Sequence, residues 1–237
     1  MGIDTTHRTQ EPEIMDDFLL EGEELRDALD KIASINQLLG GNKLTLEGVE
    51  ELLQKADKTK TITIADVGCG NGDMLRMLSA YAKKKGYSFR LIGVDANRFT
   101  VTYAEKLSKD FPDIEYKCID IFKEEFESLK YDIVLCTLTL HHFKDDEILK
   151  IITTFNRNAS VGVVINDLHR SKMAYRLFEM LCRIFALNRM SREDGLVSIL
   201  RGFKKEELEA FAKKLNIKNS RIRWRWAFRY QWILSKL

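Results

Sequence analysis

The chain has 237 residues, 45% of them hydrophobic and 31% charged, with a formal net charge of +2; this fits one α/β domain with an appendage and excludes the disordered and disulfide-stapled classes. The four cysteines (Cys69, Cys118, Cys136, Cys182) form no CxxC pair and no zinc-ligand spacing with the four histidines, so free thiols in a reducing compartment and no metal are expected. The opening "MGIDTTHRTQ" is polar and no apolar run reaches the roughly 20 residues of a membrane span, so a cytoplasmic protein without a membrane span is expected.

Residues 13–56 read as helices, with Ile14, Phe18, Leu19, Leu25, Leu29, Ile32 and Ile35 on an apolar stripe and Thr45 as the cap of a second short helix. From residue 61 the pattern alternates. Strands are expected at 61–67, 88–95, 114–120, 131–138 and 160–168, with helices at 73–85, 98–111 and 144–158. Ile/Val-rich strands separated by helices mean βαβ units on a parallel sheet. Helical patterns follow at 170–190 and 204–216, and "DGLVSILRGF" (194–203) returns the chain, with Arg201 aimed at the pocket or at an N-terminal acid. At the end, 221–226 and 228–234 alternate strictly and read as an antiparallel pair; Ile222, Trp224 and Trp226 are expected on the buried face, with Arg221, Arg223 and Arg225 in water.

Charge is unevenly placed. Residues 1–60 carry 7 basic and 14 acidic side chains; residues 199–237 carry 11 and 3. Two ends of one domain attracting each other explain this more cheaply than a nucleic-acid surface.

The strand at 61–67 runs into "DVGCGNGD", with Gly68, Gly70 and Gly72 after Asp66. The spacing is GxGxG rather than the GxGxxG of dinucleotide loops. A carboxylate aimed into the loop repels pyrophosphate and welcomes a cation. S-adenosylmethionine, with a sulfonium and an ammonium group and no phosphate, fits. Asp95 ends the next strand, where it can accept ribose hydroxyls, and Asp120 ends the third, where it can accept the adenine amino group. Ligands bind at that edge of an open parallel sheet.

Residues 60–170 resemble class I S-adenosylmethionine-dependent methyltransferases, through "DVGCGNGD", "GVDAN", "CIDIF" and "YDIVLCTLTLHHF". The last motif resembles the ubiquinone/menaquinone-type, small-molecule branch. The resemblance implies a Rossmann-like, doubly wound α/β sheet of seven strands in the order 3-2-1-4-5-7-6, the last antiparallel. It implies that Asp66, Gly68, Cys69, Gly70 and Asn71 cradle the methionine moiety, that Asp95 and Ala96 hold the ribose, and that Asp120 and Ile121 hold the adenine. The backbone of Thr137 and Leu138 would meet the methionine end. The product would be S-adenosylhomocysteine. Residues 1–58 would be a helical extension or lid, 59–237 the methyltransferase domain, and 170–203 a helical substrate cap.

Methyl transfer from a sulfonium needs alignment and exclusion of water, and a phenol-like acceptor gains from a base. His141 and His142 follow the fourth strand; His141 is expected to face the pocket and His142 to pack or cap. Asn166, Asp167, His169 and Arg170 follow the fifth strand, and Asp167 or Arg170 can orient the acceptor. The apolar helix from Met173 to Phe185 is expected to join the core on one side and roof the pocket on the other. These features point to a phenol, quinol or polyketide-derived acceptor, O-methylation ahead of C-methylation, and a monomer or homodimer. The alternatives are an RNA or protein methyltransferase, prompted by "RIRWRWAFRY", and a non-catalytic cofactor-binding protein. No proline-aromatic tetrapeptide of nucleic-acid amino-methylating enzymes follows the fourth strand, so a nucleic-acid partner is not expected.

Overall fold

The computed structural model describes residues 2–54, 56–57, 59–185 and 187–236. Met1, Lys55, Lys58, Ala186 and Leu237, which fall within the spans expected above, lie outside the described residues. The chain opens with a 3-10 turn (Ile14–Asp16), α1 (Glu23–Leu38) and α2 (Gly41–Leu53). It continues as β1 (Ile62–Val67), α3 (Asp73–Lys85), β2 (Phe89–Asp95), α4 (Arg98–Leu107), β3 (Ile114–Cys118), α5 (Glu124–Ser128) and β4 (Tyr131–Thr137). A 3-10 turn (Leu140–His142), α6 (Asp145–Asn158), β5 (Ala159–Leu168), α7 (Lys172–Ile184), α8 (Arg189–Arg201), α9 (Lys205–Lys214), β6 (Ser220–Arg225) and β7 (Arg229–Ser235) complete it.

The seven strands form one sheet in the order β3-β2-β1-β4-β5-β7-β6. The first five are parallel; β7 runs antiparallel to β5 and to β6. The strand period of two divides the core. Ala65 and Val67 join Ile148, Phe155, Leu208 and Trp232 on one face, while Ile62 and Ile64 join Leu52, Leu75 and Leu78 on the other. A third cluster ties α1 to α8 through Leu25, Ala28, Leu29 and Met190.

Four local expectations are corrected. Phe18 and Leu19 are exposed, so the core stripe begins at Leu25. Thr45 does not cap α2; the helix begins at Gly41 after Gly40 in the left-handed region, and the buried Thr45 hydroxyl lies 3.0 Å from that of Thr137. The run 170–190 is broken, because Asn188 caps a new helix by accepting from the Ser191 N–H at 2.8 Å, so 194–201 is helix α8 rather than a returning loop. The outer side of α7 (Met173, Met180, Ile184, Phe185) is exposed instead of joining the core, since α8 covers only its other flank.

The edge pair also departs from expectation. Trp224 is 51% and Trp226 76% exposed, while Arg221 pairs with Glu51 and Arg225 with Glu47 on α2. The acids of α2 hold Arg221 and Arg225 and the tryptophans stay outside, while Ile222 packs against the core as expected. This also bears out the attraction between the acidic and basic ends. Trp226 itself lies beyond β6, in a tight turn where Ala227 and Phe228 take positive φ.

Candidate active site

The carboxyl ends of the strands open into a cavity of about 710 Å³, well inside the range of about 300–1,000 Å³ typical of ligand sites. One half is lined by Asp66, Gly68, Cys69, Gly70, Asn71, Asp95, Ala96, Asp120, Ile121, Thr137 and Leu138. The structure brings all of these to one wall because each lies at or just beyond the carboxyl end of β1, β2, β3 or β4.

The glycine loop is turned inward. Gly68, Gly70 and Gly72 all have positive φ, and at Gly68 a Cβ would run into the Thr139 side chain. The N–H groups of Gly68 and Cys69 donate to the Val94 carbonyl (2.8 and 3.2 Å), and that of Gly70 donates to Asp95 (3.3 Å). Those donors are thus already used within the protein and do not form an anion cradle. Asp66 is 3% exposed, and its Oδ1 has no hydrogen-bond partner. Burial, then Asp73 and Asp95, push its carboxyl well above the usual range. Burial likewise raises Asp95, against the N–H groups it accepts from, and raises the Cys69 thiol. A cationic ligand relieves this concentration of buried carboxylates. Asn97, not Asp95, caps α4, accepting from the Thr100 N–H at 2.8 Å, so Asp95 stays turned to the cavity. Asp120 accepts from the Phe122 N–H at 2.9 Å. Leu138 takes φ +53°, a costly conformation that clusters at functional sites.

The second half is built from distant parts of the chain: the 3-10 turn at Ile14–Asp16, α1, α7, α8 and the β6–β7 turn. Ile32, Ile35, Leu177, Phe178, Leu181, Leu187 and Phe228 line it. Gly195 on α8 leaves room for the Phe178 ring. Both histidines reach the cavity, correcting the expectation that only one would. The 3-10 turn permits this, stacking the rings with centroids 4.4 Å apart. His141 is 2% exposed; its Nδ1 lies 2.7 Å from Asp167, which also accepts the His141 backbone N–H at 3.2 Å. Burial opposes ionisation of Asp167, yet the His141 ring holds its carboxyl below the usual range. The neutral tautomer that suits this contact carries its proton on Nδ1 and leaves a lone pair on Nε2.

Glu13, a residue the sequence reading passed over, faces that nitrogen. Its Oε1 lies 3.6 Å from His141 Nε2, and neither atom has a hydrogen-bond partner. Ser198 donates to its Oε2 at 2.7 Å. Burial pushes the Glu13 carboxyl up to about 7, against the pull of His142, Ser198 and Arg201. Asp16 holds His142 Nδ1 at 2.7 Å and accepts from Arg201 at 2.6 Å; despite burial, these contacts hold it below the usual range. Arg201 thus reaches an N-terminal acid, one of the two roles expected of it. One atom each from Glu13, His141 and His142 lie within 4.8 Å of one another, a spacing that can hold a cation. The Arg201 guanidinium, 3.6 Å from Glu13 Oε1, already supplies positive charge there.

The structure does not bring Arg170 to the cavity. It is 1% exposed, bonded to Glu207 at 2.6 and 3.0 Å and to the carbonyls of Thr5, Thr6 and Gly202. It ties the N-terminal segment to α9, because Glu207 and unpaired carbonyls converge behind the sheet edge. Asn166 likewise holds α2, donating to Gly41 O and Thr45 Oγ1 at 3.0 Å. His169 lines the cavity and accepts from Trp224 Nε1 at 3.1 Å. Arg229, which no periodicity singled out, lines the cavity at 3% exposure; burial pulls its guanidinium down to about 10.

Residues 64–162 match the family model described as a methyltransferase domain. A protein of Invertebrate iridescent virus 6 named as a methyltransferase (235L) is 33% identical over 73 residues, 31% of this chain. The chain spans about a quarter (24%) of that relative's length. Among solved structures, the plantazolicin methyltransferase BpumL in complex with S-adenosylhomocysteine matches with a TM-score of 0.64 and 15% identity, over 88% of this chain and 89% of that one. Magnesium protoporphyrin IX methyltransferase from Synechocystis PCC 6803 matches with a TM-score of 0.56 and 15% identity, over 84% of each chain. Residues 64–162 thus resemble a methyltransferase domain, and the chain shares the fold of these S-adenosylhomocysteine-bound methyltransferase structures.

Proposed function

We propose that this methyltransferase transfers the methyl group of S-adenosylmethionine to the hydroxyl of a small, lipophilic acceptor of the phenol or quinol kind. The observation that carries this reading is the buried Asp167–His141 pair, with His141 Nε2 free of any hydrogen-bond partner among the described residues in a cavity whose second half is lined largely by apolar side chains. The cofactor supplies a methyl group already activated by a sulfonium. Asp66 would balance its charge, and Asp95 and Asp120 would accept from its ribose and adenine. His141 Nε2 takes the acceptor's proton as the oxygen attacks, and Asp167 orients the ring and stabilises the imidazolium. Ile32, Ile35, Leu177, Phe178 and Leu181 exclude water and hold an apolar body. The solved structure of a plantazolicin methyltransferase shares the fold, and its acceptor class is not carried over.

The test is a panel of acceptors with cofactor labelled in the methyl group. Transfer to phenols or quinols, with the label in an O-methyl product, is expected. Transfer confined to protein or RNA overturns the reading, and a C-methyl product removes the assigned proton route.

A further inference from the structure

At the far side of the cavity Arg229 begins β7, opposite Leu168 at the end of β5. It is fully enclosed, yet Nε and Nη1 have no hydrogen-bond partner, and no carboxylate among the described residues lies within ion-pair distance of it. A buried, unpaired guanidinium is costly. Its neighbour is a second positive element. The first residue of α2 is Gly41, whose missing side chain makes room: a Cβ there would sit 3.2 Å from Arg229 Cζ. The thirteen-residue helix α2 has no side-chain cap and no acid in its first turn; Asp73 accepts from the Asn42 side chain at 2.6 Å, and no side chain caps the helix's N-terminal amides, which keep their partial positive charge. Among the described residues Asp167 acts on Arg229 only from a distance and forms no ion pair with it, so the guanidinium faces the positive end of the helix without a direct counter-charge. An anion bound between them explains both.

We infer that Arg229 and the N-terminus of α2 form a carboxylate-binding site that opens on the methyl-transfer cavity. The planar guanidinium offers parallel N–H groups to both carboxylate oxygens, and the amides of Gly41 and Asn42 are adjacent. Asn36 also lines this end; its amide donates to Asn42 Oδ1, and its own Oδ1 is without a hydrogen-bond partner among the described residues. Two sources carry the required group: the amino-acid end of the cofactor, or an acid on the acceptor. The site rests on the reading that this cavity receives donor and acceptor.

The experiment is calorimetry on the full chain and on Arg229→Gln, Arg229→Met and Arg229→Lys. The probes are S-adenosylhomocysteine, 5′-methylthioadenosine, which lacks the amino-acid end, and 4-hydroxybenzoate added to the S-adenosylhomocysteine complex. If the cofactor's carboxylate sits there, Arg229→Gln weakens S-adenosylhomocysteine by about tenfold or more and leaves 5′-methylthioadenosine unchanged. If the acceptor's does, both nucleosides bind as before and 4-hydroxybenzoate binding is lost. In either case Arg229→Lys recovers part of the loss, and Arg229→Met melts no lower than the parent, because it removes an unpaired charge. Unchanged binding of all three probes in Arg229→Gln overturns the site, as does a fall in melting temperature in Arg229→Met with no loss of binding. Neither result depends on which acceptor atom is methylated, so failure here is distinct from failure of the proposed reaction.

Discussion

His141 Nε2 and Glu13 Oε1 face each other at 3.6 Å, both buried and both without a hydrogen-bond partner. That gap is too long for a hydrogen bond and leaves two lone pairs beside the cavity. A hydroxyl entering there meets the His141 lone pair as its proton acceptor, with the Glu13 carboxyl beside it. His141→Gln is expected to lower turnover by roughly 10²–10⁴-fold while leaving S-adenosylhomocysteine affinity unchanged. Single-turnover transfer beside calorimetry checks this; equal loss of cofactor binding assigns His141 to structure instead.

Glu13 also sets a pH dependence. The Glu13 carboxyl is raised in the folded chain from 4.5 to about 7. The folded state therefore binds more protons than the unfolded one between these values, and stability falls as pH rises through that window. The interval corresponds to about 3 kcal/mol at most. Glu13→Gln, which mimics the protonated acid and still accepts from Ser198, is expected to flatten the curve and melt higher than the parent at pH 8. Melting temperature against pH decides it.

Asp66 Oδ1 has no hydrogen-bond partner among the described residues, and Asp73 and Asp95 add like charge. Asp66→Asn is expected to raise the melting temperature of the free chain by a few degrees. It should weaken S-adenosylmethionine by about tenfold or more. Stability and affinity moving in opposite directions mark a group held for a ligand. A fall in both makes the carboxylate a structural one.

Asp16 behaves in the opposite sense. His142 and Arg201 hold its carboxyl below the usual range, so its contribution is present above the ordinary carboxylate value of 3.8 and is lost as pH falls below it. Asp16→Asn leaves Arg201 without its nearest charge and is expected to cost about 2 kcal/mol near neutrality, with the difference from the parent shrinking in acid. Urea unfolding at pH 7 and pH 3 measures both.

The sheet and the donor half of the cavity were legible because their signals are local. Ile/Val runs mark buried parallel strands, and Asp66, Asp95 and Asp120 each stand a residue or two from a strand end. The acceptor half has no such signature. Glu13 meets His141 across 128 positions of sequence, and Ser198 meets Glu13 across 185; neither pairing has a period. Alternation in "RIRWRW" correctly separated two faces, but it could not say which one was wet. Glu47 and Glu51, on a helix far back in the chain, decided that. Arg170 was misplaced for the same reason: a charged residue after β5 points to the cavity only if no acid waits behind the sheet, and Glu207 does.

The residues that match the shared domain, 64–162, include the donor wall. Glu13, Asp16, Asn36, Leu177, Ser198, Arg201 and Arg229 all fall outside it. Apart from His141 and His142, the acceptor half of the cavity is therefore built largely by the segments on either side of the shared domain. Chains alike over residues 64–162 can differ in what they modify. Sorting relatives by the paired occurrence of Glu13, Asp16 and Arg201, rather than by the glycine loop, would group them by acceptor.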